Sequence, residues 1–77
     1  MFNPEIDQLF QQAYDLSQQG RDAEARQVLD LLLTQWPNHV EGLVLMGYLS
    51  QPAQARDFFL RALEQDPYHV HAQRGLL

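Results

Sequence analysis

The stretch QWPNHVEG, Gln35 to Gly42, returns 30 residues later as QDPYHVHA, Gln65 to Ala72. The shared pattern is Gln, any residue, Pro, any residue, His, Val, any residue and a small residue. Proline lacks an amide hydrogen and biases its predecessor away from helical angles, so each copy ends one helix and turns the chain toward the next. A motif of this kind used twice reads as a joint between repeated units, and the sequence on either side of it bears this out.

Upstream of each joint lies an amphipathic segment. AEARQVLDLLLTQWP, Ala23 to Pro37, and AQARDFFLRALEQDP, Ala53 to Pro67, align without gaps and share Ala-x-Ala-Arg, a late leucine and Gln-x-Pro. Asp22 is placed to cap the first of these helices, and the second opens at Pro52. The apolar positions Ala25, Val28, Leu29 and Leu32, like Ala55, Phe58, Phe59, Ala62 and Leu63, recur at helical spacing. An earlier helix is expected from Asn3-Pro4-Glu5, a capping side chain, a proline tolerated at the first position and an acid in the first turn. Its stripe is Ile6, Leu9, Phe10, Ala13 and Leu16, and Gly20 closes it. A third helix is expected to start at Asn38, with Glu41 three residues on as a variant capping box. A fifth is expected over Val70 to Leu77. No segment alternates polar and apolar residues over strand length, so the fold class is all-α, built of antiparallel helix hairpins.

The first helices of the two hairpins align at a different offset. Ile6 matches Val40, Leu9 matches Leu43, Ala13 matches Gly47 and Tyr14 matches Tyr48, each 34 residues apart. Four residues, about one helical turn, are therefore missing between Tyr48 and Ala53 relative to Tyr14 and Ala23.

A helix-turn-helix period of 34 residues with this pattern resembles the tetratricopeptide repeat, whose signature is W-x2-L-G-x2-Y, then A-x3-F, then P. The first copy supplies Leu9, Gln12-Ala13, Leu16, Ala25, Leu29 and Pro37; the second supplies Leu43, Met46-Gly47, Ser50, Ala55, Phe59 and Pro67. Gln12 and Ser50 depart from the Leu and Tyr that the pattern prefers. The resemblance implies a single domain over residues 1–77: repeat one about 4–37, repeat two about 38–67 and shortened by a turn, and a partial third repeat helix over 68–77. It further implies a short α-solenoid in which the hairpins stack. Ala13 and Gly47 would let the helices of a hairpin approach closely, and Ala25, Ala55 and Ala62 would make room for a neighbour.

In proteins of this type the first helices line a concave face that holds peptides or helices. By register that face is expected to carry Asp7, Phe10, Tyr14 and Ser17, then Glu41, Val44 and Tyr48, then His71 and Arg74. The resemblance thus implies a non-catalytic interaction module, or scaffold, with a protein or peptide partner bound by Phe10, Tyr14, Val44 and Tyr48 and oriented by Asp7, Glu41 and Arg74. The competing expectation is that these rings pack on one another or under Phe2. A subset of the family clamps a terminal carboxylate with Lys, Arg and Asn; here Arg74 is the lone cation of the expected face, and that mode is not expected.

The remaining composition narrows the choices. With ten acidic residues, five arginines and a net charge of -5, the chain lacks the clustered cations that nucleic-acid binding requires. There is no cysteine for a disulfide or thiolate site. His69 and His71 stand two apart, off a common helix face, so no metal site or other cofactor is expected. No nucleophile elbow, phosphate-cradling loop or zinc-protease motif occurs, so an enzyme is not expected. The start MFNPEIDQLF lacks the basic and apolar regions of a secretory signal, and no run approaches the roughly 20 apolar residues that span a bilayer. The expectation is a soluble cytoplasmic protein without a membrane partner.

Chains below about 70–80 residues rarely retain more than ~3–5 kcal/mol from one core. Repeat arrays usually finish in a polar capping helix, and this sequence has none after its second unit. Phe58, Phe59, Leu63 and Val70 are therefore expected to form an incompletely covered apolar edge; either the sequence is an N-terminal piece of a longer protein, or self-association as a homodimer buries that edge. A self-assembling structural unit and a small chaperone-like accessory subunit stand as the alternatives to the interaction module.

Overall fold

A computed structural model of the chain describes residues 3–77; Phe2, and with it any packing beneath its ring, lies outside them. Among the described residues the regular structure is all α-helix, in the order α1 (Pro4–Gln18), α2 (Asp22–Gln35), α3 (Val40–Tyr48), α4 (Pro52–Gln65) and α5 (Val70–Gly75). None of these helices is long and apolar enough to cross a membrane. The chain divides between Pro37 and Asn38 into two compact units, residues 1–37 and 38–77.

In the first unit α1 packs on α2 as a helix hairpin. The Asn3 side chain accepts the amide hydrogens of Glu5 (3.0 Å) and Ile6 (3.4 Å), and Pro4 occupies the first helical position, where its missing N–H costs nothing. The other end of α1 is a Schellman closure. Arg21 N–H reaches back to the Leu16 carbonyl (2.9 Å) and Gly20 N–H to that of Ser17 (3.1 Å), with Gly20 at φ +76, a left-handed angle that favours glycine. The small buried residues Ala13 and Ala25 lie on the hairpin's inner side, together with buried Leu29, Leu32 and Leu33. Asp22 is not the cap of α2. The helix starts one residue earlier than that role requires, Arg21 stands at the cap without a side-chain bond to the backbone, and Asp22 lies in the first turn, where its charge suits the positive helix end.

In the second unit α3 packs on α4, and α5 lies against both. The two hairpin connections have the same length, Gln19 to Arg21 in one and Leu49 to Gln51 in the other. The missing turn is therefore the last turn of the first helix: α1 continues four residues beyond Tyr14, whereas α3 stops at Tyr48. No glycine closes α3. Ser50 N–H bonds the Gly47 carbonyl (3.3 Å), and its hydroxyl donates to that of Met46 (2.6 Å).

Phe59 is the hub of this unit, 2 % exposed, with the Tyr48 ring edge-on at 4.9 Å. A methyl group on Gly47 would lie 2.6 Å from the Phe59 ring, and one on Gly75 would collide with the same ring from α5. The two glycines thus let α3 and α5 close on one aromatic side chain of α4. Fully burying such a side chain stabilises a fold by roughly 1.5–3 kcal/mol. The contact also corrects an expectation: Phe59 belongs to the core and is no part of an open edge. α5 is shorter than expected as well, ending at Gly75 with Leu76 as its C-cap.

Candidate functional site

The repeated joint has the same backbone form in both copies. Trp36 and Asp66, each preceding a proline, have φ, ψ of -129, 76 and -141, 90, extended values that end α2 and α4. His39 and His69 follow at -67, 107 and -68, 112. Both histidines are N-caps. His39 Nδ1 accepts the Gly42 amide hydrogen at 2.9 Å, and His69 Nδ1 accepts that of Ala72 at 3.3 Å. This corrects the expectation of a cap at Asn38 with Glu41 bonding back: Val40 is the first helical residue, so the cap position falls on His39, and Glu41 is engaged elsewhere.

Glu41 Oε1 meets His69 Nε2 at 2.7 Å, tying α3 to the start of α5. Because Nδ1 of His69 accepts a backbone hydrogen, the neutral ring carries its proton on Nε2 and donates it to Glu41, an assignment made from the hydrogen-bond network. A second tie joins the same helices. The Tyr48 hydroxyl donates to the His71 carbonyl at 2.6 Å, although the Tyr48 residue remains 52 % exposed. Gln73 in turn donates to the Pro67 carbonyl at 2.9 Å, fastening α5 to its own joint.

Of the residues expected on the binding face, Asp7, Phe10 and Tyr14 lie on α1 of the first unit. Asp7 is exposed, Phe10 half-buried and Tyr14 43 % exposed, and the two rings stack with centroids 6.4 Å apart and planes 25° from parallel. Ser17 bonds the Tyr14 carbonyl at 2.7 Å, so its hydroxyl is used within the helix. In the second unit Glu41, Tyr48, His71 and Arg74 are exposed; Tyr48 meets the backbone carbonyl of His71, whereas Glu41 meets His69. Arg74 sits in the last turn of α5, where a cation suits the negative helix end. Val44 does not belong to the surface. It is 6 % exposed, on the packed side of α3, and cannot anchor a partner without unpacking the helix.

The expected edge is similarly divided. Phe58 is half-buried beneath the Arg61 guanidinium, 5.6 Å above its ring centroid, Leu63 is half-buried, Val70 is exposed and Phe59 is interior. An open cleft of about 410 Å³ lies beside Tyr48, with Phe59, Pro52, Arg56 and Leu76 in its lining. Among the described residues no cluster of His, Cys, Asp or Glu is arranged to hold a metal ion.

Sequence reasoning missed the His69–Glu41 pair, the Tyr48–His71 bond and the role of Gly75. The histidine caps were signalled by His recurring three residues before a small residue, but histidine is outside the usual set of capping side chains.

No family model matches the chain, and no solved structure matches it. Among curated proteins, the human protein O-mannosyl-transferase TMTC3 is similar, 33 % identical over 73 residues. That match takes in 88 % of this chain and 8 % of the relative, so the chain spans less than a tenth of the protein that it resembles.

Proposed function

We propose that the chain is a tetratricopeptide-type protein-interaction module, non-catalytic, that binds a peptide or helix on the exposed faces of its first helices. The observation that carries this reading is the Phe10–Tyr14 pair: two stacked rings one helical turn apart on α1, with Tyr14 still 43 % exposed after the helix has packed. Aromatic rings left at a surface are characteristic anchors, since they bury much area at little conformational cost. Asp7 beside them supplies a charge that would orient a partner and favour a basic one. The similarity to one short stretch of a much longer protein agrees with a module of this size. The transferase activity in that relative's name is not carried over, because the match takes in 8 % of that protein.

Self-association is the weaker reading now that Phe59 lies in the core, which leaves Val70 and the half-buried Phe58 and Leu63 as its surface.

The test is selection of binding peptides from a displayed random library, followed by titration of the enriched peptides against the chain and against Tyr14→Ala. Truncating an anchor of this kind is expected to weaken binding about tenfold or more, with the far-ultraviolet dichroism unchanged. Equal affinity for both proteins would refute the assignment of the site.

A further inference from the structure

We propose that His69 is an acid-operated latch on α5. Its ring uses both nitrogens: Nδ1 accepts the Ala72 amide hydrogen and caps α5, while Nε2–H donates to Glu41 on α3. Protonation places a hydrogen on Nδ1, and that nitrogen then faces the Ala72 N–H as a second donor. The cap is lost, and a positive charge is set at the positive end of the helix.

The groups around the ring decide the outcome. From α3, the Glu41 carboxylate attracts the imidazolium and holds the ring in place as an ion pair. From α5 itself, His71 has its ring centroid 5.9 Å away, and its own protonation would oppose a second charge. From the end of α4, Asp66 offers its carboxylate to the Tyr68 amide (3.3 Å) and its carbonyl to the His69 amide (3.2 Å). Protonation therefore exchanges a cap for an ion pair. The ring stays on α3 and the first turn of α5 is released.

The release has a consequence because α5 covers Phe59 through Gly75, and Gly75 and Leu76 wall the cleft beside Tyr48. Fraying of that first turn weakens the hold of α5 on this cleft, while the Tyr48–His71 and Gln73–Pro67 bonds remain. The cap needs an Nδ1 without a hydrogen, so the latch is held by the neutral ring and is released when Nδ1 takes a proton.

The experiment uses the full chain, with amide hydrogen exchange measured by NMR at pH 7.5 and 5.5 and corrected for intrinsic rates, for wild type and His69→Asn. Asparagine is a capping residue that does not titrate in this range. Protection of the Ala72 amide is expected to fall about fivefold in wild type and to stay level in the variant, with the α1 amide of Ala13 level in both. Level protection in wild type, or the same fall in the variant, overturns the proposal. Should the variant not fold, the wild-type ring decides: nitrogen shifts at pH 7.5 are expected to show the Nε2–H form of His69, and the Nδ1–H form would overturn the latch.

Discussion

At the scale of single residues, the joint works because one side chain does what two neighbours were expected to do. His39 and His69 each stand between a proline-terminated helix and the next, and each satisfies an orphan amide with Nδ1. Removing a cap costs typically ~1 kcal/mol. His39→Ala is accordingly expected to lower the unfolding free energy by about 1 kcal/mol and to speed exchange at Gly42, whereas His39→Asn should retain most of both. Urea titration and amide exchange check this, and equal stability of the alanine variant would mean that the cap is ornamental. By contrast, the exposed Arg21–Glu24 pair at 2.6 Å is an i,i+3 surface bridge, and such pairs contribute about 0–1 kcal/mol.

At the scale of elements, the second unit is held by Phe59 of α4, clasped between Gly47 of α3 and Gly75 of α5. Gly47→Val would force a branched side chain into that ring. Overpacking of this kind costs typically ~1–3 kcal/mol, so the variant should show a lower denaturation midpoint. An unchanged midpoint would mean that Phe59 moves aside freely. Tyr48→Phe removes the bond to the His71 carbonyl and keeps the ring on Phe59. It is expected to cost about 0.5–1.5 kcal/mol and to raise exchange in α5 more than in α3. The close approach at Gly47 was legible in the sequence because it aligned with Ala13 as the small residue of its hairpin. Gly75 was not, since a glycine near the end of a short helix reads equally well as a stop. Phe59 was placed at an edge because periodicity gives the side of a helix on which a residue lies. It does not say whether a later segment returns to cover it. Val44 was misplaced for a related reason: on a nine-residue helix flanked by Leu43, Leu45 and Met46, the apolar arc is too wide to separate core from surface.

At the scale of the whole molecule, the chain comprises two helix-hairpin units joined at Pro37, the second carrying α5. The helices were legible because the prolines and the repeated joint mark their boundaries, while the caps expected at Asp22 and Asn38 fall instead on Arg21 and His39. The surface was less so, since which rings remain exposed depends on packing that spacing alone does not encode. The net charge of -5 with an acidic α1 predicts that peptides selected against the chain carry Lys or Arg beside their apolar anchor. It also predicts that their affinity weakens as salt is raised; enrichment of acidic peptides would contradict both expectations.

The central claim, that partners are held by the first helix of each unit, is tested most directly by mapping one such peptide onto the chain through amide chemical shifts. The account predicts that the largest changes fall on α1 around Asp7, Phe10 and Tyr14 or on α3 around Glu41 and Tyr48, with α2 and α4 little affected. Changes concentrated on α2 and α4 would contradict it.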